Sequence, residues 1–132
     1  MDIKAEVYRF IKNNEGTSYV ELEYLFDRLG FDWKGDLEIC SDVCSNVIFW
    51  TGWNKEAIEV INSLQREGLI CKVPGEPFIY YIDGKALTLP IVRKNIQYKT
   101  PHWLPVLFAA RRKSLEQIIK EVEQEVNSYE GN

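Results

Sequence analysis

Three thiols and one imidazole, Cys40, Cys44, Cys71 and His102, are the side chains best suited to hold a soft metal, because four such donors complete a tetrahedral zinc site. Their spacing argues against it. Cys40-x3-Cys44 is looser than the common C-x2-C pair, Cys71 falls inside the apolar run LICKV, and His102 stands far away in sequence. Free cysteines also serve as small buried hydrophobes. A thiol beside His102 would make a nucleophile and a base, yet no orienting group or oxyanion motif accompanies any of the cysteines. Asp32 and Asp36 bracket Trp33-Lys34-Gly35 as turn residues do, rather than as a paired acid and base. The sequence lacks the phosphate loop G-x-x-x-x-G-K-[ST], the dinucleotide fingerprint G-x-G-x-x-G, the zinc helix H-E-x-x-H and the nucleophile elbow G-x-S-x-G. The expectation is a protein without catalysis, metal or cofactor.

Charge carries a stronger signal. The net charge of −4 conceals a segregation: residues 1–83 hold eight Lys/Arg against fifteen Asp/Glu, residues 84–113 hold seven Lys/Arg and no acid, and residues 114–132 hold one Lys against five Glu. The middle block suits a polyanion through salt-dependent phosphate contacts, or else neutralises the acidic flanks within the chain. Its cations include Arg93, Lys94, Lys99, Arg111, Arg112 and Lys113, with Tyr98, His102 and Trp103 interleaved. Such aromatics stack on unpaired bases or anchor a proline-bounded loop.

The elements that position these groups are read from periodicity. Ala57, Ile58, Ile61 and Leu64 make one apolar stripe, Asn54 is an N-cap and Gly68 a C-terminal glycine, which predicts a helix over 54–67. Its opposite face offers Asn54, Lys55, Asn62 and Arg66 to base edges or phosphates, with Glu59 opposing. Two helices precede it. One spans 3–12, with Ile3, Val7, Phe10 and Ile11 on one face; the other follows the Ser18/Glu21 capping box and carries Leu22, Leu25, Phe26 and Leu29 to Gly30. LEIC (37–40) and NVIFW (46–50) predict a hairpin between the second and third helices. LICKV and FIYYI around Pro74-Gly75-Glu76-Pro77 predict a second hairpin over 69–82, with Lys72 on its first strand. Thr88 to Val92 reads as an edge strand and KTPHWLP as a loop tied down by Trp103. From Pro105 a long helix is predicted through about Ser128. On it Leu115, Ile119, Val122 and Val126 form a short heptad seam, which either covers the protein's own core or joins two copies as a homodimer.

Helix, helix, helix, strand, turn and strand in this order resemble a winged helix-turn-helix domain, here an α+β fold with an inserted hairpin and a long C-terminal helix. The resemblance implies a winged-helix domain over 1–104, with insert 30–53 and wing 69–82, followed by a C-terminal helix over 105–132. It implies DNA, double- or single-stranded, as partner. The phrases GTSYVELEYLF, FWTGWNKEA, YYIDGKALTLPIV and KTPHWLPVLF resemble short uncharacterised proteins of Gram-positive phages and pathogenicity islands. That likeness implies a small protein of a mobile element acting in transcription or replication, or an acidic adaptor or inhibitor that binds a host or phage protein. No run of about 18 apolar residues occurs, MDIKAEVYRF has acids where a signal peptide needs a basic region and then an apolar one, and the odd number of cysteines suits reduced thiols, so a cytoplasmic location off the membrane is expected.

Overall fold

The computed structural model describes residues 1–111, 119–120 and 122–126. Helix α1 (Ile3–Asn13) starts at Asp2, whose carboxylate accepts from Ala5 N, and buries Val7 and Ile11. Helix α2 (Tyr19–Leu29) opens on the Ser18/Glu21 capping box and closes on Gly30 at φ +70°, the left-handed conformation that a glycine adopts without strain. Strands β1 (Lys34–Cys40) and β2 (Val47–Trp53) then pair antiparallel, as the hairpin read from sequence requires. Helix α3 (Lys55–Arg66) is capped by Asn54 and buries Ala57, Ile61 and Leu64. Strand β3 (Ile70–Pro74) follows.

Two expected elements are overturned from here on. FIYYI is not the second strand of a wing but part of helix α4 (Pro77–Asp83), with Pro77 in its first turn and Gly84 in the left-handed conformation at its end. Aromatic and β-branched residues favour strands only where a pleated surface receives them. Here the helix lets Tyr80 turn inward to full burial and donate from Oη to Val106 O at 2.6 Å. The partner of β3 is β5 (Val106–Ala110), in the register Ile70↔Ala110 to Pro74↔Val106. A helix from Pro105 was expected there, and the apolar run VLFAA forms a strand because its Val106, Leu107 and Phe108 are buried. Thr17 lies on the other edge of β5: Phe108 N donates to Thr17 O at 2.7 Å and Thr17 N to Phe108 O at 3.1 Å. Helical residues resume at 119–120 and 122–126.

The stretch between α4 and β5 has little regular structure. Of Thr88 to Val92 only Ile91 makes a bridge, to Trp103, and the short strand β4 (His102–Trp103) runs parallel to β2, giving a sheet ordered β1-β2-β4. Trp103 anchors this stretch as expected, fully buried and donating from its indole to Phe49 O at 3.2 Å. The core is aromatic. Tyr19 stacks on Trp50 and meets Trp53 and Phe108 edge-on, and Tyr80 meets Trp103 edge-on at 5.2 Å. No helix among the described residues is long and apolar enough to cross a membrane.

Candidate nucleic-acid interface

The polar face of α3 forms as expected, but most of its groups are engaged. Asn54 accepts from Ala57 N at 2.9 Å and donates to Asp32 O at 2.9 Å, so the side chain caps the helix and pins the base of the β1–β2 hairpin. Arg66 is ion-paired with Glu59 on the same helix, and each raises the charged fraction of the other: the Glu59 pKa falls and that of Arg66 rises. Asn62 is half-buried beside Gln65. Lys72 lies with Nζ 4.0 Å from the centre of the Phe49 ring, and burial lowers its pKa against the pull of Asp42 and Cys40. Lys55 alone of this set is both exposed and without an ion pair to a described residue.

The β1–β2 hairpin stands alongside α3 and leaves a groove of about 780 Å³. Ile58, Asn62 and Arg66 line it from α3, and Glu38, Asp42 and Lys72 share the lining. Charges of both signs therefore share the groove, and a phosphate gains little there.

The basic block divides differently. Arg93, Lys94 and Lys99 are exposed on one loop and make no ion pair with a described residue. Tyr98 closes that loop: its Oη accepts from Arg93 N and Lys94 N, both at 3.0 Å, and donates to Lys94 O at 3.1 Å. Its ring lies 4.1 Å from that of His102. Asn46 donates to Tyr98 O at 2.9 Å and Gln97 to Val43 O at 3.3 Å, which tie the loop to the β1–β2 turn. Between turn and loop lies a cleft of about 710 Å³. Trp103, expected among the stacking aromatics, is instead in the core. Arg111 is exposed beyond β5, its N–H donating to Leu69 O at 2.9 Å, while Arg112, Lys113 and Leu115 lie outside the described residues. Ile119, Val122 and Val126 of the expected seam are exposed.

Cys40, Cys44 and Cys71 are free thiols. Cys44 faces Tyr98 O, His102 Nδ1 lies 2.8 Å from Thr100 O, and no group of three or more His, Cys, Asp or Glu placed to hold a metal occurs among the described residues. The structure also gathers a cluster that sequence spacing does not reveal. Glu23, buried on α2, accepts at one oxygen from the indoles of Trp50 and Trp53, at 2.8 and 2.9 Å, and at the other from Lys85 Nζ at 2.6 Å. Lys85 also lies over the Trp33 ring, so one cation of the basic block is spent on holding the stretch after α4 to the core. In the sequence, Glu23 is marked only by standing next to the apolar stripe of Leu22, Leu25, Phe26 and Leu29.

Comparison with protein-family models, with curated proteins and with solved structures finds no match.

Proposed function

We propose that the chain is a small winged-helix protein that binds nucleic acid without catalysis, in the transcription or replication of a phage or another mobile element. The order α1, Thr17, α2, α3, β3, β5, with β5 between Thr17 and β3, supports a winged helix whose wing is widened by α4 and the stretch up to β4. One observation carries the binding: Arg93, Lys94 and Lys99 are exposed on a single loop inside a stretch of thirty residues, 84–113, that contains no acid. The setting in a mobile element rests on sequence resemblance alone. Contact through the basic loop is favoured over contact through α3 and β3, because Arg66 on α3 is paired with Glu59 and Lys72 on β3 lies over the Phe49 ring.

Fluorescence anisotropy of labelled DNA, at about 50 mM and about 200 mM salt, tests the reading. Affinity is expected to fall by orders of magnitude across that range, and replacing Arg93, Lys94 and Lys99 by Ala should reduce the salt slope by about 3. Absence of binding at the lower salt ends it. The exposed stripe Ile119, Val122 and Val126 supports a homodimer, which sedimentation should convert to monomer on Val122→Glu.

A second reading, an adaptor or inhibitor that binds a host or phage protein, is favoured by the outer face of α4. Phe78, Tyr81 and Ile82 are 66%, 65% and 67% exposed there, an apolar patch of the kind that marks protein contacts. This reading expects no DNA affinity and a partner lost on Tyr81→Ser.

A further inference from the structure

The cleft between the β1–β2 turn and the loop over 92–98 combines features that neither a duplex-binding helix nor a solvated loop needs. Val47, Val92, Leu104 and Tyr98 contribute to its lining, beside the polar Ser41, Asn95 and Gln97. Two further apolar residues of its lining are largely open to solvent: Val43 is 81% exposed and Ile96 54% exposed. Arg93 and Lys94 border the same cleft, and Lys99 follows Tyr98 directly. Both walls are tied together through Asn46 and Gln97, and Tyr98 Oη fixes the loop's own turn, so the cleft is formed before any ligand arrives. Its volume of about 710 Å³ lies in the range of sites that take small aromatic ligands.

Resting on the nucleic-acid reading above, we propose that this cleft takes unstacked bases of a single-stranded nucleic acid, with Arg93, Lys94 and Lys99 holding the flanking phosphates. Duplex DNA offers only base edges in its grooves and hides the flat faces of its bases. A cleft that combines apolar side chains, a tyrosine and bordering cations matches the opposite presentation, a base face exposed between two phosphates. Tyr98 backed by His102 supplies the stacking surface, since its hydroxyl is already committed to the loop and its ring is what remains. Preference for sequence should be weak, because every base has such a face.

The test uses the full chain and a labelled oligothymidylate of about 12 nucleotides, the matching duplex, and thymidine monophosphate as competitor. The single strand is expected to bind at least about tenfold more tightly than the duplex at about 50 mM salt. Val43→Asp with Ile96→Asp, both at exposed positions, should remove that preference, with an unchanged melting curve showing that the fold persists. Arg93→Ala with Lys94→Ala should weaken both nucleic acids and lower the salt slope by about 2. Equal affinity for single strand and duplex, unaltered by the aspartate pair, would overturn the cleft as the site and leave nucleic-acid binding standing. Displacement of the oligonucleotide by the monophosphate at equal affinity would overturn the strand and make the cleft a free-nucleotide site. No binding of either nucleic acid would overturn both proposals together.

Discussion

Glu23 is the one carboxylate among the described residues that sits in the core, and each of its oxygens is used. Replacing it by Ala leaves two buried indole N–H groups and an ammonium without their acceptor, so Glu23→Ala should cost about 3–5 kcal/mol, as breaking a buried charged cluster does. Lys85→Ala should cost less, about 1–2 kcal/mol, because the lysine is half exposed and water enters where its ammonium lay. Urea denaturation of the two variants checks the order; equal small losses would mean that the cluster contributes nothing. Two tyrosines make a second contrast. Tyr19 Oη is fully buried with no hydrogen-bond partner among the described residues, whereas Tyr80 Oη donates to Val106 O and accepts from Tyr19 N. Tyr19→Phe is therefore expected to leave stability unchanged or raise it by up to about 1 kcal/mol, and Tyr80→Phe to lower it by about 1–3 kcal/mol. Thermal unfolding of both proteins decides, and a loss on Tyr19→Phe would show that its hydroxyl has an unseen partner. Capping residues were legible from sequence because Ser18 and Glu21, or Asn54 and Ala57, act over three positions. Glu23 was not, since its indole partners lie 27 and 30 positions away.

At the scale of elements the same distinction holds. Helices α1, α2 and α3 declare themselves through stripes and caps within one window, and the β1–β2 hairpin through two β-prone runs near each other. FIYYI and VLFAA are too short for periodicity to choose, and tertiary competition decides: VLFAA takes the edge of β3, which leaves FIYYI free to coil into α4. The basic loop was legible as composition, but its cleft was not, because Val43 and Ile96 come together only once the hairpin turn meets the loop. The hairpin is set against α3 by a close approach at Gly35. A Cβ there would lie 2.6 Å from Trp53 O and 2.7 Å from Asn54 N, both backbone atoms that have no rotamer to change. Gly35→Ala should thus force β1 away from the start of α3 and cost about 1–3 kcal/mol. Gly75→Ala meets only the Leu107 side chain and should cost less. A melting curve for Gly35→Ala that matches wild type would show that the hairpin moves freely against α3.

For the whole molecule, the aromatic core links stability to alkaline pH. Burial pushes the pKa of Tyr19 far above the ordinary value, with Tyr80 nearby adding to it, and burial does the same to Tyr80 against the hydrogen bond from Tyr19 N. Unfolded, both phenols titrate near pH 10. Below that pH folded and unfolded chains hold the same phenolic protons, and the contribution of these groups is constant. Above it the unfolded chain releases protons that the folded chain keeps, so stability falls as pH rises, by about 1.4 kcal/mol per pH unit for each tyrosine. Urea midpoints measured upward from pH 9 should therefore decline steeply, and Tyr19→Phe should remove about half of the tyrosine-linked slope. Lysines deprotonate in the same range, but they do so in both proteins, so the difference in slope between wild type and Tyr19→Phe isolates the one phenol. A vanishing difference would mean that Tyr19 ionises in the folded state as easily as in the unfolded one. That result would require water at its hydroxyl and an opening in the Trp50, Trp53 and Phe108 packing around it.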